Sequence, residues 1–137
     1  MRTKPMLGLD EVEAILDGAR HEAREHGWSV SIAVVDDGGH QLAMLRLDGA
    51  APLTAYMAVE KARTAALGRR ESKFYEDMVN GGRFAFLSAP LNATLEGAIP
   101  VVVSGECIGA VGVSGVKSDQ DAQVARAGIT YLAAMDV

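Results

Sequence analysis

The stretch Trp28–Arg46, WSVSIAVVDDGGHQLAMLR, carries the clearest structural signal in the chain. Apolar, largely β-branched residues run from Val30 to Val35, the turn formers Asp36, Asp37, Gly38 and Gly39 follow, and a second strand is predicted from Gln41 to Leu47. Asp-Gly between two such runs predicts an antiparallel hairpin closed by a primed turn, because glycine takes the positive φ such turns need. Upstream, Leu9, Val12, Ile15, Leu16, Ala19 and Ala23 recur at helical steps, predicting an amphipathic helix between Gly8 and Gly27. Downstream, Pro52 at a first helical position opens an alanine-rich helix through Leu67, which Gly68 is expected to close.

A shorter helix is predicted from Ser72, as its cap, to Val79. The segment from Gly82 to Pro100 lacks a clear period and reads as loop, with a short strand or helical turn near Phe84–Leu87. Pro100–Ser104 and Cys107–Val113 form a second hairpin across Gly105-Glu106, and Ser118 is the expected cap of a last helix striped by Ala122, Ala125, Ile129 and Leu132. Gly109 and Gly112 weaken the last strand unless something packs closely on it, and that last helix is the expected occupant. The order helix, hairpin, helices, hairpin, helix makes an α+β fold, an antiparallel sheet carrying helices.

The 137 residues suit one domain. Apolar residues reach 49% but aromatics only 5%, so the core must be aliphatic and rich in alanine. Such composition, with the open edges of a sheet, points to a homo-oligomer built from dimers. A net charge of −5 and a pI near 5.1 argue against nucleic acid and anionic membranes as partners. One cysteine, Cys107, excludes an internal disulfide, and the N-terminus lacks the apolar core of a secretory signal, so a cytoplasmic location is expected.

Trp28–Arg46, the block EKARTAALGRRESKFYEDMVNGGR (Glu60–Arg83) and GECIGAVGVSG (Gly105–Gly115) together closely resemble the GlcG/HbpS-like family, nearest its GlcG branch. That family includes a protein of the glycolate-utilisation operon, secreted haem-binding proteins and the C-terminal domain of PduO-type proteins. The resemblance covers nearly the whole chain, so residues 1–137 read as a single GlcG/HbpS-like domain. It implies a profilin-like antiparallel sheet of about five strands with helices packed on it. It also implies a small-molecule or haem-binding accessory protein linked to organic-acid catabolism of the glycolate type.

The candidate site residues come from both sources. Among His21, His26 and His40, His21 on the first helix is the haem candidate, because the resemblance implies a coordinating histidine on a helix and imidazole is a common axial ligand. No C-x-x-C-H, H-E-x-x-H or paired C-x-x-C spacing occurs, so neither covalent haem nor a metal centre is expected. The family pattern includes Asp36, Arg46, Asp48 and the Lys61-Ala62-x-Thr64 segment. If these converge, Arg46 and Lys61 could receive a carboxylate ligand, with Asp48 and Thr64 beside them. Proton transfer by Asp36, Lys61 and Glu96 would then make an enzyme acting on a small carboxylic acid. The bland alternative has Lys61 paired with Asp36 or Asp48 as a strut between helix and hairpin. A PAS-like sensory module is the third reading, resting on fold analogy alone.

Overall fold

The structure, a computed structural model, describes residues 1–135. Its element order is α1 (Leu9–Glu25), β1 (Ser31–Asp36), β2 (Gln41–Arg46), α2 (Pro52–Gly68), α3 (Lys73–Asn80), β3 (Ala98–Val103), β4 (Glu106–Ser114) and α4 (Ser118–Met135). A 3-10 turn, Phe84–Ser88, lies between α3 and β3. The strands form one antiparallel sheet in the order β2-β1-β4-β3. The described residues thus hold four strands where about five were expected, because the segment between α3 and β3 winds into the 3-10 turn.

Alternation along the central strands splits the core into two layers. Ile32 and Val34 of β1 and Val111 and Val113 of β4 point to one face, where they meet Val12, Ile15 and Ala19 of α1 and Val124 and Ala125 of α4. Val35 and Ala110 point to the other, against Ala62, Ala65 and Ala66 of α2. The result is a sheet between an α1/α4 layer and α2.

Both helix layers approach closely because small residues let them. A Cβ at Gly112 would collide with the backbone of Ala58 and Ala62, so it is α2, and not the last helix, that lies against this glycine. The expected packing of the last helix on Gly109 and Gly112 is therefore corrected. Gly109 is hemmed in by the Val35 carbonyl of the neighbouring strand and by Leu7. On the opposite layer α1 and α4 cross where a Cβ at Gly18 would strike Tyr131 and one at Gly128 would strike the Ile15 carbonyl.

The turns depart from the sequence reading in an instructive way. In the first hairpin only Gly39 has a positive φ, +81°, and its N–H bonds the Asp36 carbonyl at 3.0 Å. This is a three-residue connection of the type I plus bulge kind, and the register slips between Val34 and Val35. The primed turn occurs in the second hairpin, where Ser104 (φ 51°) and Gly105 (φ 78°) are the two loop residues between the paired Val103 and Glu106. Its tip is therefore Ser104-Gly105, one position earlier than read.

Three helix ends are also corrected. Arg69, not Gly68, takes the left-handed conformation that ends α2 (φ 59°). Gly68 is needed for another reason: a Cβ there would collide with the Tyr75 ring. Ser72 caps nothing with its side chain, since its hydroxyl accepts the Ala98 N–H at 3.0 Å and ties the start of α3 to β3. At α4 the Asp121 N–H bonds the Lys117 carbonyl, so Lys117 and not Ser118 stands at the cap, with the Gln120 side chain accepting the Lys117 N–H. Pro100 is accommodated because β3 is an edge strand.

Gly112→Ala should cost at least ~2 kcal/mol of stability, since α2 must be displaced from the sheet to admit the methyl group. Urea unfolding measures it, and a loss within ~0.5 kcal/mol of zero would contradict the close approach.

Candidate functional site

Lys61 is the buried cation among the described residues, only 4% exposed. Three residues on from Ala58, it lies on the face of α2 that meets the sheet, and its stem runs past Gly97, where a Cβ would meet the Val113 carbonyl and the Lys61 side chain. The ammonium donates to the Val113 carbonyl at 3.1 Å and to Asp121 Oδ2 at 3.2 Å. Asp121 Oδ1 accepts the Val116 N–H at 3.1 Å. The strut expected between Lys61 and Asp36 or Asp48 therefore exists with a different partner, Asp121 of α4, and joins helices that lie on opposite faces of the sheet. Burial pushes the Asp121 carboxyl above the usual carboxylate range, and the Lys61 charge and the Val116 N–H pull it only partly back.

Asp36 is used at the hairpin tip. Its Oδ1 accepts the N–H groups of Gly38 and His40, each at 2.9 Å. Because Asp36 pairs with Gly109 and Lys61 bonds Val113, the two candidates stand four strand residues apart, about 13 Å. Thr64 is buried, donating to the Ala93 carbonyl at 2.6 Å and so fastening the segment before β3. The charge of half-buried Glu96 is felt at Lys73, whose ammonium is held above its ordinary range first by the 2.7 Å bond to Asp77 and to a lesser extent by Glu96. Asp36 and Lys61 are thus held apart, and neither bonds Glu96 among the described residues.

Arg46 and Asp48 are exposed and line a cavity of about 540 Å³ between the end of α1 and β2. Arg46 also borders a groove of about 430 Å³ between β2 and α2, with Tyr56 and Glu60. A larger groove, about 930 Å³, runs over the outer side of the α1/α4 crossing. His21 lines it with Arg20 and Arg24 of α1 and with Ala127, Tyr131 and Ala134 of α4. The His21 Nε2 stands 3.7 Å from Glu25 Oε1. The other histidines are placed differently. His26 stacks on Trp28 with centroids 4.4 Å apart and pairs with Glu22, and His40 is exposed at the hairpin. Among the described residues no three His, Cys, Asp or Glu side chains are grouped to hold a metal ion. Among the described residues no helix is long and apolar enough to cross a membrane.

Asp121, expected only as a first-turn acid of the last helix, and Tyr131 were not among the candidate site residues. The signal for Asp121 was present, since it continues the buried stripe Val124, Ala125, Gly128, where an acid needs a partner.

Lys61→Met should destabilise by about 3 kcal/mol, leaving a buried carboxylate without its counter-charge. Lys61→Met combined with Asp121→Asn, which keeps an acceptor for Val116, should recover most of that loss, and urea melts of the single and double variants measure it. A double variant no more stable than Lys61→Met would contradict the pairing. Between the unfolded Asp121 pKa of about 3.9 and its raised folded value, the folded chain binds more protons, so this carboxyl's contribution falls as pH rises. Relative to Asp121→Asn, the native protein should therefore lose stability from about pH 4 upward until the folded carboxyl is ionised.

With this geometry established, similarity to known proteins is informative. The chain is 60% identical to the protein GlcG of Escherichia coli K12 over 114 residues, 83% of this chain and 85% of that protein. It superposes on HbpS of Streptomyces reticuli, crystallised in a doubly substituted form, with a TM-score of 0.86 at 31% identity, covering 95% of this chain and 89% of that one. The PduOC:haem complex shares the fold, with a TM-score of 0.83 at 23% identity over 93% and 95% of the two chains. Residues 7–130 match the family described as haem degrading protein HbpS-like, and the chain belongs to that HbpS-like family.

Proposed function

We propose that the protein is a haem-binding accessory protein, acting as a cytoplasmic, dimer-based homo-oligomer in organic-acid catabolism of the glycolate type. The observation that carries the haem reading is the position of His21: of the three histidines, it alone among the described residues lines the large α1/α4 groove. That groove, at about 930 Å³, falls in the size range of small-molecule and cofactor sites, about 300–1,000 Å³. Its donor set also fits the group. The His21 imidazole would supply a nitrogen ligand, Ala127, Ala134 and the Tyr131 ring offer apolar surface, and Glu25 lies beside the imidazole, its Oε1 3.7 Å from Nε2. Haem, when bound, supplies iron-centred redox and small-ligand chemistry. The chain's own part is to hold it, orient the imidazole and shield one of its faces.

The family description and the haem held by the PduOC relative support the same reading. The 60% identity to GlcG supports the link to glycolate-type catabolism. Support for self-assembly comes from large apolar side chains left on the surface, Leu53 at 67% exposure and Tyr56 at 75%, with Phe84 and Leu87, and from the open edges of β2 and β3. The ligand-contact role first given to Asp36, Lys61 and Thr64 is not part of this proposal, because Asp36 Oδ1, the Lys61 ammonium and the Thr64 hydroxyl bond groups of the fold. Arg46 and Asp48 keep theirs.

Haemin titrated into the protein should give a saturable Soret band at no more than one haem per chain. His21→Ala should shift or abolish it, whereas His40→Ala should leave it unchanged. A band indifferent to His21→Ala would overturn the assignment.

A further inference from the structure

The two edges of the sheet are not equally guarded. β3 carries Pro100, which has no N–H to offer a further strand. β2, at the other edge, runs from Gln41 to Leu45 without a charge or a proline, and its bulge at Leu42 leaves Ala43–Arg46 regular. The adjoining side of α2 has the same character: residues Pro52 to Val59 include no charged side chain, and Leu53 and Tyr56 are exposed. Between strand and helix lies the groove of about 430 Å³, walled by Met44, Ala55, Tyr56 and Val59. In a chain of net charge −5, an uncharged strip beside an open strand has the composition of the centre of a protein interface.

Its two charges stand at opposite ends. Arg46 pairs with Ser31, whose hydroxyl bonds Thr54, so Arg46 lies beside the first turn of α2. The other end of β2 adjoins the hairpin tip, where a Cβ at Gly39 would touch Arg63 and Leu67 near the end of α2. Helix and strand therefore run antiparallel, and Glu60, which also lines the groove, stands at the end away from Arg46. Within the chain Glu60 bonds Arg63 and Asn92 at 3.3 Å each, and Arg46 has no ion-pair partner among the described residues. We propose that the β2 edge and the adjoining side of α2 form the contact surface for a second copy of this chain, with β2 pairing antiparallel to its twin about Met44 so that the two sheets become one. A two-fold axis there exchanges the ends of the groove and sets Arg46 of each copy against Glu60 of the other. A second copy is the occupant because the same groove, turned about that axis, satisfies both charges. This inference rests on the self-assembly reading above and names the surface it uses.

Sedimentation velocity at micromolar concentration tests the surface. The wild-type protein should sediment as a dimer or a multiple of one. Tyr56→Glu, Arg46→Glu and Glu60→Arg should each weaken the association at least about tenfold, the last two by making both end contacts like-charged. An equimolar mixture of Arg46→Glu and Glu60→Arg should recover the dimer, because both ends then carry opposite charges. Recovery on mixing also shows that the two variants are folded, and no contact within one chain produces it. A monomeric wild-type protein would overturn this surface together with the self-assembly reading. A wild-type oligomer that all three substitutions leave intact would overturn this surface alone and place the assembly elsewhere. A mixture no more associated than the separate variants would overturn the two-fold arrangement.

Discussion

Everything in this fold is arranged around the contact of α2 with the centre of the sheet. Gly112 offers no side chain, and Ala58, Ala62, Ala65 and Ala66 offer only methyl groups, so a helix backbone rests almost directly on a strand backbone. Such an interface gains little from any one side chain and much from close packing, which makes it intolerant of added volume. Lys61 belongs to the same constraint. It passes along the edge of this interface to reach Asp121, so a single ion pair links the helices on both faces of the sheet. A buried pair of this kind contributes little net stability by itself. It does penalise arrangements in which one charge loses the other.

The chemistry follows from where space remains. The α2 contact is closed by small residues and by a lysine bonded to Val113 and Asp121, and space remains beside it in grooves at the β2 edge and near Arg69, Arg70 and Phe74. The α1/α4 face is different. Its helices cross at Gly18 and Gly128, and the close crossing leaves a broad groove outside it, with His21 on one wall and Tyr131 on the other. Arg20 and Arg24 line both that groove and the cavity next to β2, so the two concavities share a cationic border.

The sequence showed the elements well because their signals are local. Val30–Val35 alternates between two buried faces, Pro52 starts α2, and the α1 stripe repeats at helical steps. What it did not show depended on contacts between distant residues. Asp36-Asp37-Gly38-Gly39 permits more than one turn type, and the choice of Gly39 as the left-handed residue goes with the register slip beside Val35. Gly68 looked like a helix stop, but its role is set by Tyr75, which arrives from the next helix. The partner of Lys61 lay 60 residues further on, so the nearer acids Asp36 and Asp48 drew attention that belonged to Asp121. His21 was legible as a candidate, yet only the α4 residues opposite it show that it lines a groove.

The central claim is that ligand binding belongs to the α1/α4 face while the α2 face is a sealed structural contact. Amide chemical-shift mapping with a diamagnetic metalloporphyrin, such as zinc protoporphyrin, tests this most directly. The expected result is a set of perturbed amides over Asp17–Glu25 and Gln123–Ala134, with Asp36, Lys61 and Thr64 unmoved. Perturbations concentrated along α2 and at Asp36, with α1 and α4 silent, would contradict it.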